Sequence, residues 1–377
     1  MTAMKRLLSR ICVIAAITGI TVAALAIVAG TPGHASSPQK ASSPAVHKPA
    51  WHFIFAIPNG NATTHFNAFT AVVATGKTAG WAFMENAPYA YERTGPRTWK
   101  KVPFPGKNGN VALAAVASDG RGAVWAGYFT ASGTQLDRWT GTKWEVARTF
   151  PGYLSGLTVL ASDDVWVFGG TGQQQSHGVF HYNGRTWTEV ASTPQGGAAL
   201  SDTNVWAYSG QLIDHFNGKR WTSVNVAKLL PPRNRQALAG VKPFLTGIRA
   251  LSAADVYATG EGTDPPHGGP LVLLHFNGHA WSRVLLAKNN TSPSGQRIVP
   301  DGKGGLWIPG GDGAQNPALL HYSNGKLTTV TLPAEATWVP TIADSLARIP
   351  GTSEMLAGGV QYTDGNNKTN SVILQYS

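Results

Sequence analysis

Cysteine is nearly absent from this chain: the only one, Cys12, lies in an N-terminal apolar stretch. That excludes a disulfide framework, thiolate nucleophiles and cysteine metal sites from the rest of the molecule. Charge is sparse too, at 13% of residues, and acidic side chains are the scarcer kind, 19 against 30 basic. So thin a supply of charge disfavours a protein built of surface helices. The basic residues are scattered, with no dense Lys/Arg block, so nucleic acid is not an expected partner. What is abundant is glycine (44) and tryptophan (13), which suits many short strands joined by tight turns.

The N-terminus reads as an export signal. Lys5, Arg6 and Arg10 precede an uncharged apolar run over 11–29, and small residues follow up to Ala35, where cleavage is expected. An uncleaved anchor is the alternative, because a run of that length can span a bilayer. With 1–35 removed, no membrane association is expected, and the chain is placed outside the cell or at the cell wall. Loss of the three leader cations leaves 27 basic against 19 acidic residues, about +8. Such a surface favours anionic cell-wall polymers or acidic glycans as neighbours. Residues 36–50, rich in Ser, Pro and Ala, read as a disordered linker.

From Trp51 onward the chain repeats. An aromatic follows a turn and a small or apolar residue in Gly80-Trp81, Val124-Trp125, Val165-Trp166, Val205-Trp206, Val256-Tyr257 and Leu306-Trp307, and Met355 takes the place in Glu354-Met355. The spacings are 44, 41, 40, 51, 50 and 48 residues, the length of a four-stranded propeller blade. The apolar segment before each landmark is strand a, and the landmark opens strand b. Strand c ends in His181-Tyr182-Asn183-Gly184, His215-Phe216-Asn217-Gly218 or His275-Phe276-Asn277-Gly278. Strand d opens three residues after the Gly, at Trp144, Trp187, Trp221 and Trp281. The Asn-Gly pairs predict two-residue hairpin turns with both central residues at positive φ.

Seven landmarks give seven blades over 51–377, an all-β seven-bladed β-propeller of antiparallel blades. The last blade stops after its third strand. The segment 51–58 matches the pattern of 99–105 and is expected to supply the missing fourth strand, which removes an open edge and locks the ring. Asp164-Val165-Trp166-Val167-Phe168-Gly169-Gly170, followed by His181-Tyr182-Asn183-Gly184-Arg185-Thr186-Trp187, resembles the tandem repeats of secreted bacterial propellers. Those are loosely similar to kelch and galactose-oxidase-type propellers. The resemblance covers 51–377 and implies a fold; propellers host lectins, lyases, oxidases and scaffolds alike.

Chemistry is harder to find. Two D-G-x-G-x-x-W stretches, at Asp119 and Asp301, look superficially like a sialidase Asp-box, but the box needs its Asp where Gly120 and Gly302 stand; they are expected to cap turns. His181, His215, His275 and His321 occupy one strand c position in four blades, so the ring spreads them apart and they read as structural. The Cys–Tyr crosslink of kelch-like oxidases is impossible here, and no cofactor or metal is implied. The b–c and d–a loops share one face of a propeller, and here they are the long ones. They carry Glu261, Asp264 and His267 in one loop, and Asp312 and Gln315 in another. Lys228, Arg233, Arg235 and Lys242 lie between blades 4 and 5, with Trp338 nearby. Polar and aromatic groups on a rigid rim suit a binding surface. The expectation is a monomeric, non-catalytic binding or scaffold propeller for a glycan, cell-wall polymer or protein. The alternative is a polysaccharide hydrolase or lyase using Glu261, Asp264 or His267 as acid and base.

Overall fold

The computed structural model describes residues 49–61, 68–84, 87–103, 112–171, 177–231, 242–261, 271–286, 298–311, 317–334, 341–363 and 368–377. They form seven four-stranded antiparallel sheets, each built from strands consecutive in sequence except one. The chain is a seven-bladed β-propeller. Every landmark lies in strand b of its own blade: Trp81 in Gly80–Met84, Trp125 in Val124–Thr130, Trp166 in Asp164–Thr171, Trp206 in Asn204–Ser209, Tyr257 in Asp255–Glu261, Trp307 in Leu306–Gly311 and Met355 in Met355–Thr363.

The landmarks recur because they fasten one blade to the next. Trp81 packs edge-on against Trp139 and Trp144 of blade 2, and Trp125 against Trp187 of blade 3. Trp206 meets Phe276 and Trp281 of blade 5. These landmarks therefore lie beneath the aromatic that ends strand c and the Trp that opens strand d of the following blade. Such ring pairs contribute about 0.5–1.5 kcal/mol each beyond the apolar area they cover. Alternation along each strand sets the other face against the blade behind.

The exceptional sheet is the seventh. Its order places Trp51–Asn61 beside Lys368–Tyr376, which pairs with Met355–Thr363 and then Thr341–Arg348. Trp51 sits opposite Tyr376, as Trp187 sits opposite Tyr182 and Trp281 opposite Phe276. The ring of Trp51 lies edge-on to Trp307 at 5.7 Å, the contact that Trp281 makes with Trp206. The N-terminal strand is therefore strand d of blade 7. The pairing begins one residue before the expected segment: Ala50 and Ser377 exchange both backbone hydrogen bonds, at 3.1 and 3.3 Å. On the far side of the seam, the buried Arg93 of blade 1 donates to Gln375 Oε1 at 2.8 Å, and Gln375 donates to Glu354 Oε2 at 2.7 Å.

The turns differ from expectation in one respect. Tyr182 pairs directly with Trp187, leaving four residues between strands c and d instead of two. Gly184, Gly218 and Gly278 have φ of 85, 86 and 89°, while Asn183, Asn217 and Asn277 are not among the positive-φ residues. The Asn instead caps the loop with its side chain: Asn183 Oδ1 accepts the N–H groups of Arg185 and Thr186. Asn217 and Asn277 do the same in their blades. A two-residue turn with both residues at positive φ does occur at Asn324-Gly325, between Ser323 and Lys326 of blade 6.

Candidate functional site

The b–c and d–a connections lie on one face of the ring, the a–b and c–d turns on the other. On the first face, between blades 4 and 5, the chain leaves Trp221–Asn225 through a short 3-10 turn, Ala227–Leu229, and returns at Phe244–Ser252. The turn starts where Asn225 Oδ1 accepts the N–H of Ala227. Leu230 is buried there and anchors the connection against blade 5. A cleft of about 480 Å³ opens above it, lined by Gln211, Ala227, Lys228, Leu230, Pro231, Lys242, Pro243 and Arg283.

Three of those residues are cations, and none of the described lining residues is acidic. Lys228, Lys242 and Arg283 are all exposed and can meet a ligand. The walls are stiff beneath them. Gln211 donates from Nε2 to Pro243 O at 2.8 Å, tying the b–c turn of blade 4 to the start of strand a in blade 5. Two backbone hydrogen bonds secure the same corner: Val226 N–H donates to Gln211 O at 2.9 Å and Leu245 N–H to Gly210 O at 2.7 Å. Arg283 reaches across from the outer strand of blade 5 to Leu229 O at 3.4 Å.

Besides Lys228 and Lys242, the one residue singled out on the rim that lies within the described residues is Glu261. It is half-buried and is the last residue of strand b in blade 5, paired with Phe244 and Leu271, so the ladder extends further than the loop assignment supposed. Asp264, His267, Asp312, Gln315 and Trp338 lie outside the described residues, as do Arg233 and Arg235. The last two belong to the stretch 232–241, which joins Pro231 to Lys242. Sequence reasoning named Lys228 and Lys242 in this connection but missed Arg283 and Gln211. Alternation was an available signal for Arg283: it stands two residues after Trp281, whose ring faces blade 4, so its side chain projects toward the same neighbour.

The four strand c histidines share one packing arrangement. Each stacks on its blade's landmark ring directly across the strand pair: His181 on Trp166, His215 on Trp206, His275 on Tyr257 and His321 on Trp307, with centroids 4.1–4.5 Å apart. Each Nε2 meets an acceptor in its own blade: Asp164 Oδ1 at 2.9 Å, Asn204 Oδ1 at 3.2 Å, Asp255 Oδ1 at 2.8 Å and Asp301 Oδ2 at 2.9 Å. The ring of His215, facing an amide instead of a carboxylate, is pushed below its ordinary pKa by burial.

The Asp residues of the D-G-x-G-x-x-W stretches cap their turns. Asp119 Oδ1 accepts the N–H groups of Arg121, Gly122 and Ala123, and Asp301 Oδ1 those of Lys303 and Gly305. Burial raises the Asp301 carboxyl, but the Lys303 N–H, His321 and the Gly305 N–H outweigh it and hold the group below its usual value. A carboxylate depressed on folding stabilises above its unfolded pKa, about 3.9, and loses that contribution as pH falls through the folded value. Asp301→Ala should therefore cost about 1–3 kcal/mol at neutral pH by leaving buried donors unpaired. In denaturant titrations the gap from wild type should narrow below about pH 4; a gap independent of pH would refute this role.

No family model and no curated protein matches this sequence. Solved structures match it in fold. The BT4673 extracellular domain from B. thetaiotaomicron has a TM-score of 0.57 at 12% identity, covering 86% of this chain and 40% of that one. Virginiamycin B lyase from Staphylococcus aureus, solved as a catalytically inactive variant with quinupristin, has a TM-score of 0.55 at 12% identity, covering 87% and 99%. The RRP9 WD40 repeats give 0.56 at 11%, covering 88% and 99%. At such identities the likeness is one of fold alone.

Proposed function

We propose that this chain is an exported binding propeller, without catalytic activity, that holds an anionic polymer in the cleft between blades 4 and 5. The observation that carries the reading is the convergence of Lys228, Lys242 and Arg283 around a cleft whose described lining has no carboxylate. The polymer class is an acidic glycan or cell-wall polymer, with an acidic protein segment as the other form of the same chemistry. An excess of basic residues over the whole chain supports steering such a ligand inward. Arg233 and Arg235, in the stretch joining the two walls, would add to the same field. A leader over 1–35 and a linker over 36–50 fit delivery to the exterior. The likeness to secreted, loosely kelch-like bacterial propellers belongs to this reading. Propeller neighbours that include WD40 repeats and an extracellular domain are in keeping with a binding role.

The test is binding of the protein to an immobilised polyuronate and a poly(glycerol phosphate), with a neutral polysaccharide as reference. The triple variant Lys228→Ala, Lys242→Ala, Arg283→Ala should bind the polyanions at least about tenfold more weakly, a loss of about 1.4 kcal/mol spread over three contacts. Its melting temperature should hold, because all three side chains are exposed. Added salt should weaken the wild type more than the variant. Equal binding by both proteins, or equal binding to the neutral polymer, would overturn the proposal.

A further inference from the structure

On the opposite face of the ring, blade 3 departs from the other His-bearing blades. In blades 5 and 6, His275 and His321 each meet one carboxylate, and in blade 4 His215 meets an amide. His181 of blade 3 meets two carboxylates. Asp164 Oδ1, in its own blade, is 2.9 Å from Nε2, and Asp202 Oδ1, in the a–b turn of blade 4, is 3.8 Å from it. Among the described residues these three form the single group whose imidazole and carboxylate donor atoms all lie within 4.8 Å of one another.

The surplus carboxylate needs a counter-charge. Two carboxylates face the one imidazole, and the described lysines and arginines make no ion pair with either Asp. Elsewhere in the ring a lone His–Asp pair satisfies itself by one hydrogen bond, so the second carboxylate is unnecessary for that bolt.

We propose that Asp164, His181 and Asp202 form a binding site for a divalent transition metal that fastens blade 3 to blade 4. One imidazole nitrogen and two carboxylate oxygens match the donor preference of zinc more closely than that of calcium, which takes six to eight oxygens. Bonds of about 2.0–2.2 Å require donor separations of roughly 3–3.5 Å, and the observed separations of 2.9 and 3.8 Å from the imidazole bracket that range. The ring plane of His181 is already fixed by stacking on Trp166 at 4.2 Å, so the nitrogen is aimed before the ion arrives. Asp202 has 61% of its side chain exposed, which gives the ion a path in and leaves its outer positions to water. This site stands apart from the long-loop cleft, on the opposite face.

The untagged full-length chain, stripped with a chelator and titrated calorimetrically with Zn²⁺ at neutral pH, tests the proposal. One saturable zinc per chain is expected, with a zinc-dependent rise in melting temperature. Asp202→Asn should weaken binding by about tenfold or more and abolish the rise. Asp202→Ser at this exposed turn is the second variant, and His275→Gln, which alters a His–Asp pair lacking the extra carboxylate, should leave zinc binding unchanged. Absence of saturable binding, or binding indifferent to both Asp202 substitutions, would overturn it.

Discussion

Deleting residues 49–58 should collapse the cooperative melting transition, whereas deleting 36–48 should leave it in place. The first deletion strips strand d from blade 7 and bares the edge of Lys368–Tyr376 along most of its length. It also removes the cover over Trp307 and the ring that Phe55 lays against Tyr91 and Trp99 of blade 1. An opened ring exposes two blade faces, since the last blade closes onto the first. The substitution Trp51→Ala isolates one contact. Trp51 is 7% exposed, and truncation of a buried Trp costs about 3–5 kcal/mol. For a domain of this size that is a drop of roughly 4–7 °C. Scanning calorimetry would check both; equal transitions for the two deletions would refute closure by the N-terminal strand.

Gly218→Val should be the most damaging of the turn substitutions. Its φ of 86° is already unfavourable for a β-branched residue, and a Cβ there would stand 2.5 Å from Thr203 Cγ2 and 3.2 Å from Thr203 Cα. Backbone at such a distance does not yield as a side chain tip does. Gly184 and Gly278 meet single Cβ atoms at 2.9 Å, of Asp163 and Ala254, so Gly184→Val and Gly278→Val should cost less. Strain of about 1–3 kcal/mol is expected from φ alone, with the clash adding to it at Gly218. Urea denaturation of the three variants gives the order. If Gly218→Val is as stable as wild type, the four-residue c–d loop is misassigned.

The blades were legible because the aromatics that mark them perform one repeated task. A Trp at the start of strand b must meet a Trp at the start of strand d in the next blade, and contact repeated around a ring leaves a period in the sequence. Closure was legible for the same reason: Trp51 is the opening Trp of a strand d whose partner strand lies more than 300 residues later. The turns were half legible. Asn-Gly serves a two-residue turn at Asn324 and four-residue loops at Asn183, Asn217 and Asn277, and only the pairing of the flanking aromatics with the Trp decides between them.

The cleft was less legible. Lys228 and Lys242 stand out as charges in a long connection, but their approach to Arg283 depends on how the Ala227–Leu229 turn folds back over blade 5. Gln211, in a turn of two residues, carries no signal of its own; its value lies in the bond to Pro243. The candidate binding residues named from loop length were chosen by position on the rim, and apart from Lys228, Lys242 and Glu261 they fall outside the described residues.

Hydrogen exchange of the full-length protein with and without saturating polyanion tests the proposed binding face most directly. The account predicts new protection at 210–212, 226–231 and 242–245, around Lys228, Lys242 and Arg283. The c–d loops around Asn183, Asn217 and Asn277, on the opposite face, should exchange as before. Protection confined to those loops, with the cleft between blades 4 and 5 unchanged, would contradict it.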